Sequence, residues 1–233
     1  ANGSRIAIIF NGSPMFTGDA GTGESEIRKW IIENDWLEAV IAMPTEMFYN
    51  TGIATYIWIL TNRKPVFRKG KVQLINAVGF FEPMRKSLGS KRKQFSDQNI
   101  ADITTIYTQF SDSKLCKIYG NSHFGFTKVT VERPQVGKSG KVLRDKSGNP
   151  KPDTSLRDYE KIPLKQEIEE YFEQEVKAHI PDAWLDRSKD KTGYEISISK
   201  YFFDFQQLRS LDEIKSDILA LEDETDGLLE GIL

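Results

Sequence analysis

The run Arg5-Ile6-Ala7-Ile8-Ile9-Phe10 is apolar without alternation once past its first residue. That is the pattern of a strand buried on both faces, inside a parallel sheet covered by helices. Such a strand needs neighbours on both sides. The other good strand candidates are Ala39–Met43, Thr55–Leu60 and Lys71–Asn76, which together make a thin sheet. Two readings follow: a small α/β domain, or a larger sheet whose N-terminal part is missing. The chain opens Ala1-Asn2-Gly3-Ser4 with no initiating Met.

The turn signature Asn11-Gly12-Ser13-Pro14 closes the first strand. A loop with Gly18, Gly21 and Gly23 leads to a helix, with Ser25 as N-cap and Ile27, Trp30, Ile31 and Leu37 at near-helical spacing. Residues 5–43 therefore form a strand–helix–strand unit, expected to be a right-handed parallel crossover. Only about ten residues separate Met43 from Thr55, too few for a helical crossover, so these strands are expected to be antiparallel neighbours.

Composition excludes several classes. Across 233 residues, 39% hydrophobic and 28% charged, the chain is an ordinary globular one, neither collagen-like, disulfide-stapled nor wholly disordered. A net charge of −2 excludes a uniformly basic nucleic-acid binder but allows a locally basic face. The single cysteine, Cys116, and the lack of a recognisable signal peptide point to a cytoplasmic setting. The longest apolar run, Ile6–Phe10, falls far short of the ~20 residues that cross a bilayer.

Between residues 62 and 93 stand ten positive charges against the one negative charge of Glu82. They include Arg85, Lys86, Lys91, Arg92 and Lys93, gathered around Gly89-Ser90, where flexible backbone could follow a phosphate chain without reading sequence. A helix over 96–110 carries Ile100, Ile103, Ile106, Tyr107 and Phe110 on one side, and Thr127–Glu132 reads as a short strand after a loop at 121–126. Residues 135–158, rich in Gly, Pro, Ser, Lys and Asp, read as a long mobile loop or a marginal hairpin.

The last third reads as mainly helical. Leu164–His179 has the stripe Ile168, Tyr171, Phe172 and Val176. Gly193–Ile198 is a short extended piece leading to Tyr201, Phe202, Phe203 and Phe205. Ser210-Leu211-Asp212-Glu213 is a capping box. Behind it Leu211, Ile214, Ile218, Leu221, Leu228 and Ile232, with Thr225 in register, alternate spacings of three and four along a coiled-coil seam. Residues 204–233 hold nine acidic residues and two basic ones, so the seam suits docking on another helix.

Catalytic constellations are scarce. His123 and His179 lie in separate regions, no His/Cys cluster offers a zinc site, and no nucleophile elbow is present. The Gly18-x-x-Gly21-x-Gly23 loop carries Asp19 and Glu24 and lacks Lys, so it reads as a turn rather than a phosphate cradle. The loop Phe48-Tyr49-Asn50-Thr51-Gly52 sets two adjacent aromatics between strands. Either a ring plugs the end of the sheet, or it stacks on a base drawn out of a nucleic-acid helix.

Several long strings, in order, carry a resemblance. They are Gly12-Ser-Pro-Met-Phe16, Gly18-Asp-Ala-Gly-Thr-Gly-Glu24, Ile27-Arg-Lys-Trp-Ile-Ile-Glu-Asn-Asp35, Phe48-Tyr-Asn-Thr-Gly-Ile53 and Tyr56-Ile-Trp-Ile-Leu-Thr-Asn-Arg-Lys64. Arg85-Lys-Ser-Leu-Gly89, Thr130-Val-Glu-Arg-Pro134, Gly193-Tyr-Glu-Ile196 and Arg209-Ser-Leu-Asp-Glu213 continue it. In these the chain resembles the modification subunit of type I restriction-modification systems, an adenine-N6 DNA methyltransferase.

The resemblance implies an α/β fold: a partial Rossmann-like methyltransferase sheet, its C-terminal half, followed by a mainly helical region with a heptad helix. It divides the chain into a methyltransferase-like part over 1–134, a flexible loop over 135–158, a helical and aromatic region over 159–209 and a docking helix over 210–233. Members transfer a methyl group from S-adenosylmethionine to adenine N6, without a metal, using a glycine-containing donor motif and an Asn-Pro-Pro-aromatic motif. Neither is in this sequence; its Asn149-Pro150 is followed by Lys151. The chain is thus expected to be a C-terminal portion, inactive alone, with the donor site mostly in the missing part.

By motif position Phe48, with Tyr49 as the neighbouring alternative, resembles the aromatic that stacks on the extruded base. The resemblance also implies DNA as partner, a specificity subunit bound through the C-terminal helix and a restriction subunit in the full complex. The alternative is a non-catalytic interaction module acting through that helix.

Overall fold

The computed structural model describes residues 3–203 and 210–230, and in the last helix the side chains of 211–221 and Thr225. The chain divides into two units, one ending at Phe202 and the other beginning at Phe203.

In the first unit, β1 (Arg5–Asn11), β2 (Leu37–Ala42), β3 (Thr55–Thr61), β4 (Lys71–Asn76) and β7 (Cys116–Gly120) form a mixed sheet in the order β1-β3-β2-β4-β7. β3 pairs antiparallel with both β1 and β2, so β1 and β2 run parallel on either side of it, and β2 pairs parallel with β4. The expected antiparallel β2–β3 neighbours are found. The sheet has five strands because β7, unread in the sequence, closes its far edge.

β2 is buried along its whole length, and its alternation explains why. Val40 and Ala42 join Leu37, Trp58, Val72 and Leu74 in a core with Ile32 of helix α1 (Gly23–Glu33), while Ile41 joins Ile75, Ala77 and Cys116 on the other face. Helix α2 (Asp97–Gln109) covers that second face with Ile103, Ile106 and Tyr107. Its start is fixed by a capping box, in which Ser96 Oγ accepts from the Asn99 amide and Asn99 Oδ1 accepts from the Ser96 amide.

A buried charge cluster ties these layers together. Glu38, 1% exposed, accepts from Arg5 Nε at 2.9 Å and faces Arg68 Nε at 3.5 Å. Arg68 also donates to Gln73 Oε1 at 2.8 Å and to the Tyr107 carbonyl, and it lies between the Tyr107 and Phe110 rings. Burial lowers the Arg68 pKa, against the opposing pull of Tyr107 and Glu38. Burying Glu38 without these cations would cost several kcal/mol, on the order of 3–5.

The expectation of a fully buried first strand is corrected. β1 is an edge strand whose Ile6 and Ile9 are 54% and 52% exposed. Its apolar run has only β3 to pair with, so neither its outer edge nor most of its side chains are covered. Ser25 is corrected too: Thr22 occupies the N-cap position of α1, and Ser25 is buried within its first turn.

The second sheet builds on β8 (Gly125–Glu132), which starts where the sequence suggested a loop. β9 (Asp158–Pro163) pairs with it along one edge, and β10 (Trp184–Leu185) and β11 (Lys191–Tyr194) pair with it along the other. These strands overturn the expected mainly helical stretch. The helix expected over 164–179 shrinks to α3 (Ile168–Tyr171) and a π turn, Phe172–Val176, while Leu164 is tied to the second sheet, its amide donating to the Gly125 carbonyl at 3.1 Å. Between β8 and β9, the isolated bridges Pro134–Pro152, Val136–Val142 and Arg144–Pro150 link residues of 134–152 in antiparallel pairs. A short helix, α4 (Ile198–Tyr201), adds Ile198 and Tyr201 to the first core.

The second unit contains α5 (Leu211–Glu230). Its capping box forms as expected: the Ser210 amide donates to Glu213 Oε2 at 2.8 Å and the Glu213 amide donates to Ser210 Oγ at 3.2 Å. Among the described residues no helix is long and apolar enough to cross a membrane.

Candidate nucleic-acid interface

The loop from Pro44 to Ala54 leaves β2 at the sheet's end and returns as β3. Glu46 takes a left-handed backbone conformation, φ 61°, and Phe48 bridges Thr51 across the loop tip. Phe48 is half-buried, whereas Tyr49 is 64% exposed. The two rings are thus not equivalent: one is anchored and the other stands in solvent.

The basic segment is not the flexible strand of backbone its composition suggested. β5 (Glu82–Leu88) and β6 (Lys91–Gln94) form a two-stranded antiparallel hairpin turning at Gly89-Ser90. That turn sits against the aromatic loop. The Ser90 amide donates to the Tyr49 carbonyl at 2.8 Å, and the Arg92 and Lys93 amides donate to the Glu46 carbonyl at 3.0 and 3.2 Å. Gly89 has φ 60°, and a Cβ there would lie 2.5 Å from the Tyr49 carbonyl oxygen, so only glycine fits.

Side chains reinforce this seam. The Glu46 carboxylate lies 3.6 Å from Arg92 Nε and 3.9 Å from Lys93 Nζ. Lys93 Nζ also reaches Thr45 Oγ1 at 3.4 Å and stands 4.3 Å from the centre of the Phe81 ring. Lys93 is therefore turned inward. Arg85, Lys86 and Arg92 remain exposed and Lys91 is half-buried. The structure brings together the two sequence features, aromatic loop and basic cluster, into one surface. Glu46 was missed because nothing in the sequence marks a loop glutamate as a strained joint.

The end of the sheet away from the loop is also tied. At the opposite end of β2, Asp35 accepts from Lys64 Nζ, from the Gly70 amide at 2.9 Å and from Asn121 Nδ2 at 2.9 Å. Burial works to raise the Asp35 carboxyl pKa, but the Lys64, Gly70 and Asn121 hydrogen bonds outweigh it and hold the carboxyl below its ordinary value. Burial depresses Lys64, whose side chain is 2% exposed, more than Asp35 raises it.

Other candidates carry less. Asp19 of the glycine loop pairs with Lys128 at 2.5 Å, and Gly18 and Gly21 supply positive φ, so this loop is a turn facing the second sheet. His123 stacks on Tyr119 with ring centres 4.1 Å apart and Tyr201 nearby; burial, then Lys165 and Lys200, lower its pKa. Cys116 is buried beside Gln73, and burial raises its thiol pKa. Among the described residues no group of three or more His, Cys, Asp or Glu could hold a metal ion.

Two apolar surfaces stand uncovered. One is an open cleft of about 470 Å³ lined by Ile8 and Phe10 of β1, Ile27, Arg28 and Ile31 of α1, and Trp58 and Leu60 of β3. Trp58 Nε1 and Arg28 Nη2 are buried without a hydrogen-bond partner. The other is the α5 seam, where Leu211, Ile214, Ile218 and Leu221 are all exposed. Leu228 lies in the helix with its side chain undescribed, and Ile232 and Phe205 lie outside the described residues.

The sequence model of the N-6 DNA methylase family matches residues 1–138. The type I restriction enzyme MjaIX methylase subunit of Methanocaldococcus jannaschii is 33% identical over 144 residues, which is 61% of this chain and 24% of that protein. The MjaVII methylase subunit of the same organism is 30% identical over 178 residues, 74% of this chain and 26% of that protein. Among solved structures, the type I restriction-modification methyltransferase subunit from Streptococcus thermophilus is similar with a TM-score of 0.44 and 26% identity. It covers 52% of this chain and 24% of its own. The chain spans about a quarter of the length of the curated relatives it matches.

Proposed function

The chain belongs to the N-6 DNA methylase family, and from that premise we propose that it is the DNA-contacting and subunit-docking part of a type I modification subunit. The reaction of the intact subunit is methyl transfer from S-adenosylmethionine to adenine N6, in a cytoplasmic restriction-modification complex. The observation that carries this reading is the seam between the basic hairpin and the aromatic loop, held by the Ser90–Tyr49 and Arg92–Glu46 backbone hydrogen bonds.

The roles follow from charge and shape. Arg85, Lys86, Lys91 and Arg92 form a cationic hairpin face that neutralises backbone phosphates and fixes the duplex without reading its sequence, while Lys93, turned inward onto Glu46, Thr45 and Phe81, adds its charge from behind. An adenine taken out of the stack meets an aromatic face within reach of that hairpin. Phe48, half-buried and with its backbone bridged to Thr51, is the stacking ring, with Tyr49 as the alternative. Selection of the DNA site belongs to the specificity subunit, docked on Leu211, Ile214, Ile218, Leu221, Leu228 and Ile232, and the restriction subunit completes the assembly.

The methyl donor does not fit the residues present. A sulfonium cation with an amino-acid head and ribose hydroxyls needs several converging charged and polar partners, whereas the cleft beside α1 exposes a mainly apolar surface from Ile8, Phe10, Ile27, Ile31, Trp58 and Leu60, with Glu24 and Arg28 as its charged lining residues and Asn11, Ser13 and Thr17 as its polar ones. Arg28 in that cleft donates from Nε and Nη1 to the carbonyls of Tyr194, Pro14 and Thr17, leaving only Nη2 without a partner. The 233 residues hold no Asn-Pro-Pro-aromatic run. Donor binding and amino-group positioning therefore fall outside them, and the chain alone is inactive. In the same reading β1 is not a natural edge: further strands of the intact subunit pair with it, giving a Rossmann-like sheet.

A second reading, a non-catalytic interaction module, is favoured by the exposed α5 seam. Methylation by the intact subunit separates the two. Phe48→Ala should lower the methylation rate about tenfold to a hundredfold, the scale of one lost base–aromatic stack. An unchanged rate removes Phe48 and passes the role to Tyr49; unchanged rates in both Phe48→Ala and Tyr49→Ala favour the module.

A further inference from the structure

We propose that Glu46 is a positioning residue that relays capture of a nucleic-acid phosphate by the hairpin to the aromatic loop; this rests on the reading of the hairpin as a phosphate-binding surface. Glu46 is one of three non-glycine residues with positive φ among the described residues. A left-handed glutamate is strained and persists only where its surroundings hold it. Here the hold comes from the hairpin, through two amides on the Glu46 carbonyl and two cations beside its carboxylate.

The two cations are not alike. Lys93 is also held by the Thr45 hydroxyl and the Phe81 ring. Arg92, with its side chain 70% exposed, faces Glu46 at 3.6 Å, an ion pair too long for a hydrogen bond. An exposed pair of this kind is weak and exchangeable. A phosphodiester carries the same single charge as the carboxylate and can accept two parallel bonds from the guanidinium. The Glu46 carboxylate thus stands in for a backbone phosphate, and a real phosphate displaces it from Arg92. That displacement removes one of the restraints on a strained residue two positions before Phe48. The loop is held while DNA is absent and loosened when the hairpin is occupied, at the moment the ring has to turn onto an extruded base.

The test uses the full chain and a short mixed-sequence DNA duplex, reading affinity by fluorescence anisotropy and loop amide hydrogen exchange at residues 47–50. In the wild type, DNA should accelerate loop exchange severalfold. Glu46→Gln should show the faster exchange before DNA is added, no further change with DNA, and severalfold tighter binding. Arg92→Gln should show the same fast loop with weaker binding, and the fast loop with tighter binding of Glu46→Gln is the pairing of effects that general unfolding cannot produce. If the wild type binds DNA while Glu46→Gln matches it in loop exchange and affinity, the relay is wrong and the hairpin reading stands. If the wild type does not bind DNA at low salt, the hairpin reading fails and the relay with it.

Discussion

The Ser90 amide donates to the Tyr49 carbonyl at 2.8 Å, so the turn of the basic hairpin and the tip of the aromatic loop share one hydrogen-bonded seam. That contact converts two separate sequence features, the basic hairpin and the aromatic loop, into one surface.

The seam depends on Gly89, whose missing Cβ leaves room for the Tyr49 carbonyl. Gly89→Ala forces either the left-handed backbone or the Tyr49 contact to give way. The expected cost is about 1 kcal/mol or more, because alanine is strained at positive φ. DNA affinity should fall while the thermal midpoint moves by only a few degrees. Wild-type affinity in this variant would show that the seam is dispensable.

At the far end of the sheet, Asp35 sets a pH limit. Its carboxyl pKa is held below the ordinary 3.8, so the folded state binds the proton less readily than the unfolded one. The stabilisation is complete above the ordinary value and is lost as pH falls through the depressed one. Asp35→Asn, which leaves Lys64 buried without its counter-charge, should cost about 1–2 kcal/mol at neutral pH, allowing for the partial exposure of Asp35. Its stability should also flatten below pH 4 relative to wild type. Urea unfolding across pH checks both, and parallel wild-type and variant curves would contradict the assignment.

Cys116 should behave as a buried, unreactive thiol. Burial raises its pKa and excludes reagent. Iodoacetamide should label the native chain far more slowly than the chain in denaturant. Fast stoichiometric labelling of the folded protein would place Cys116 at the surface instead.

How far the sequence could be read turned on whether each element carried its own reason. The β2–β3 pairing was legible from the short link between Met43 and Thr55, and α2 from its apolar stripe. β1 was misread because an uninterrupted apolar run reports what a strand is suited to, while its cover depends on neighbours that the run does not name. β7, Cys116-Lys-Ile-Tyr-Gly120, is too short and mixed to stand out, and it becomes a strand only because β4 offers it an edge. The periodicity after Leu164 pointed to a long helix, yet Leu164 is bonded to Gly125 of the second sheet, a long-range contact that periodicity does not report. In the interface, the cations and aromatics were visible as residue types. Glu46 and the turn at Gly89 were not, since their importance lies in contacts between segments far apart in the chain.

The exposed side of β1 makes a discriminating site. Ile9→Lys should leave the stability of the 233-residue chain within about 0.5 kcal/mol of wild type, as for any exposed residue. In the intact subunit the same change should destabilise, because further strands would cover that residue. Equal, negligible effects in both would mean that β1 is a natural edge.

The α5 seam has its own readout. Ile214→Asp with Ile218→Asp places charge on two exposed apolar positions and should abolish co-purification with the specificity subunit while the helix signal in circular dichroism persists. Unimpaired assembly would assign docking to another surface.

The most direct test is a salt titration of DNA binding by the full chain with Arg85, Lys86, Lys91 and Arg92 replaced by Gln. The wild type should bind a non-specific duplex with a dissociation constant on the order of 1–100 μM and a steep dependence of log affinity on log salt. The slope should become shallower by about 0.9 for each phosphate contact removed. A quadruple variant with wild-type affinity and slope would contradict the account, because the hairpin would then not be the surface that meets DNA.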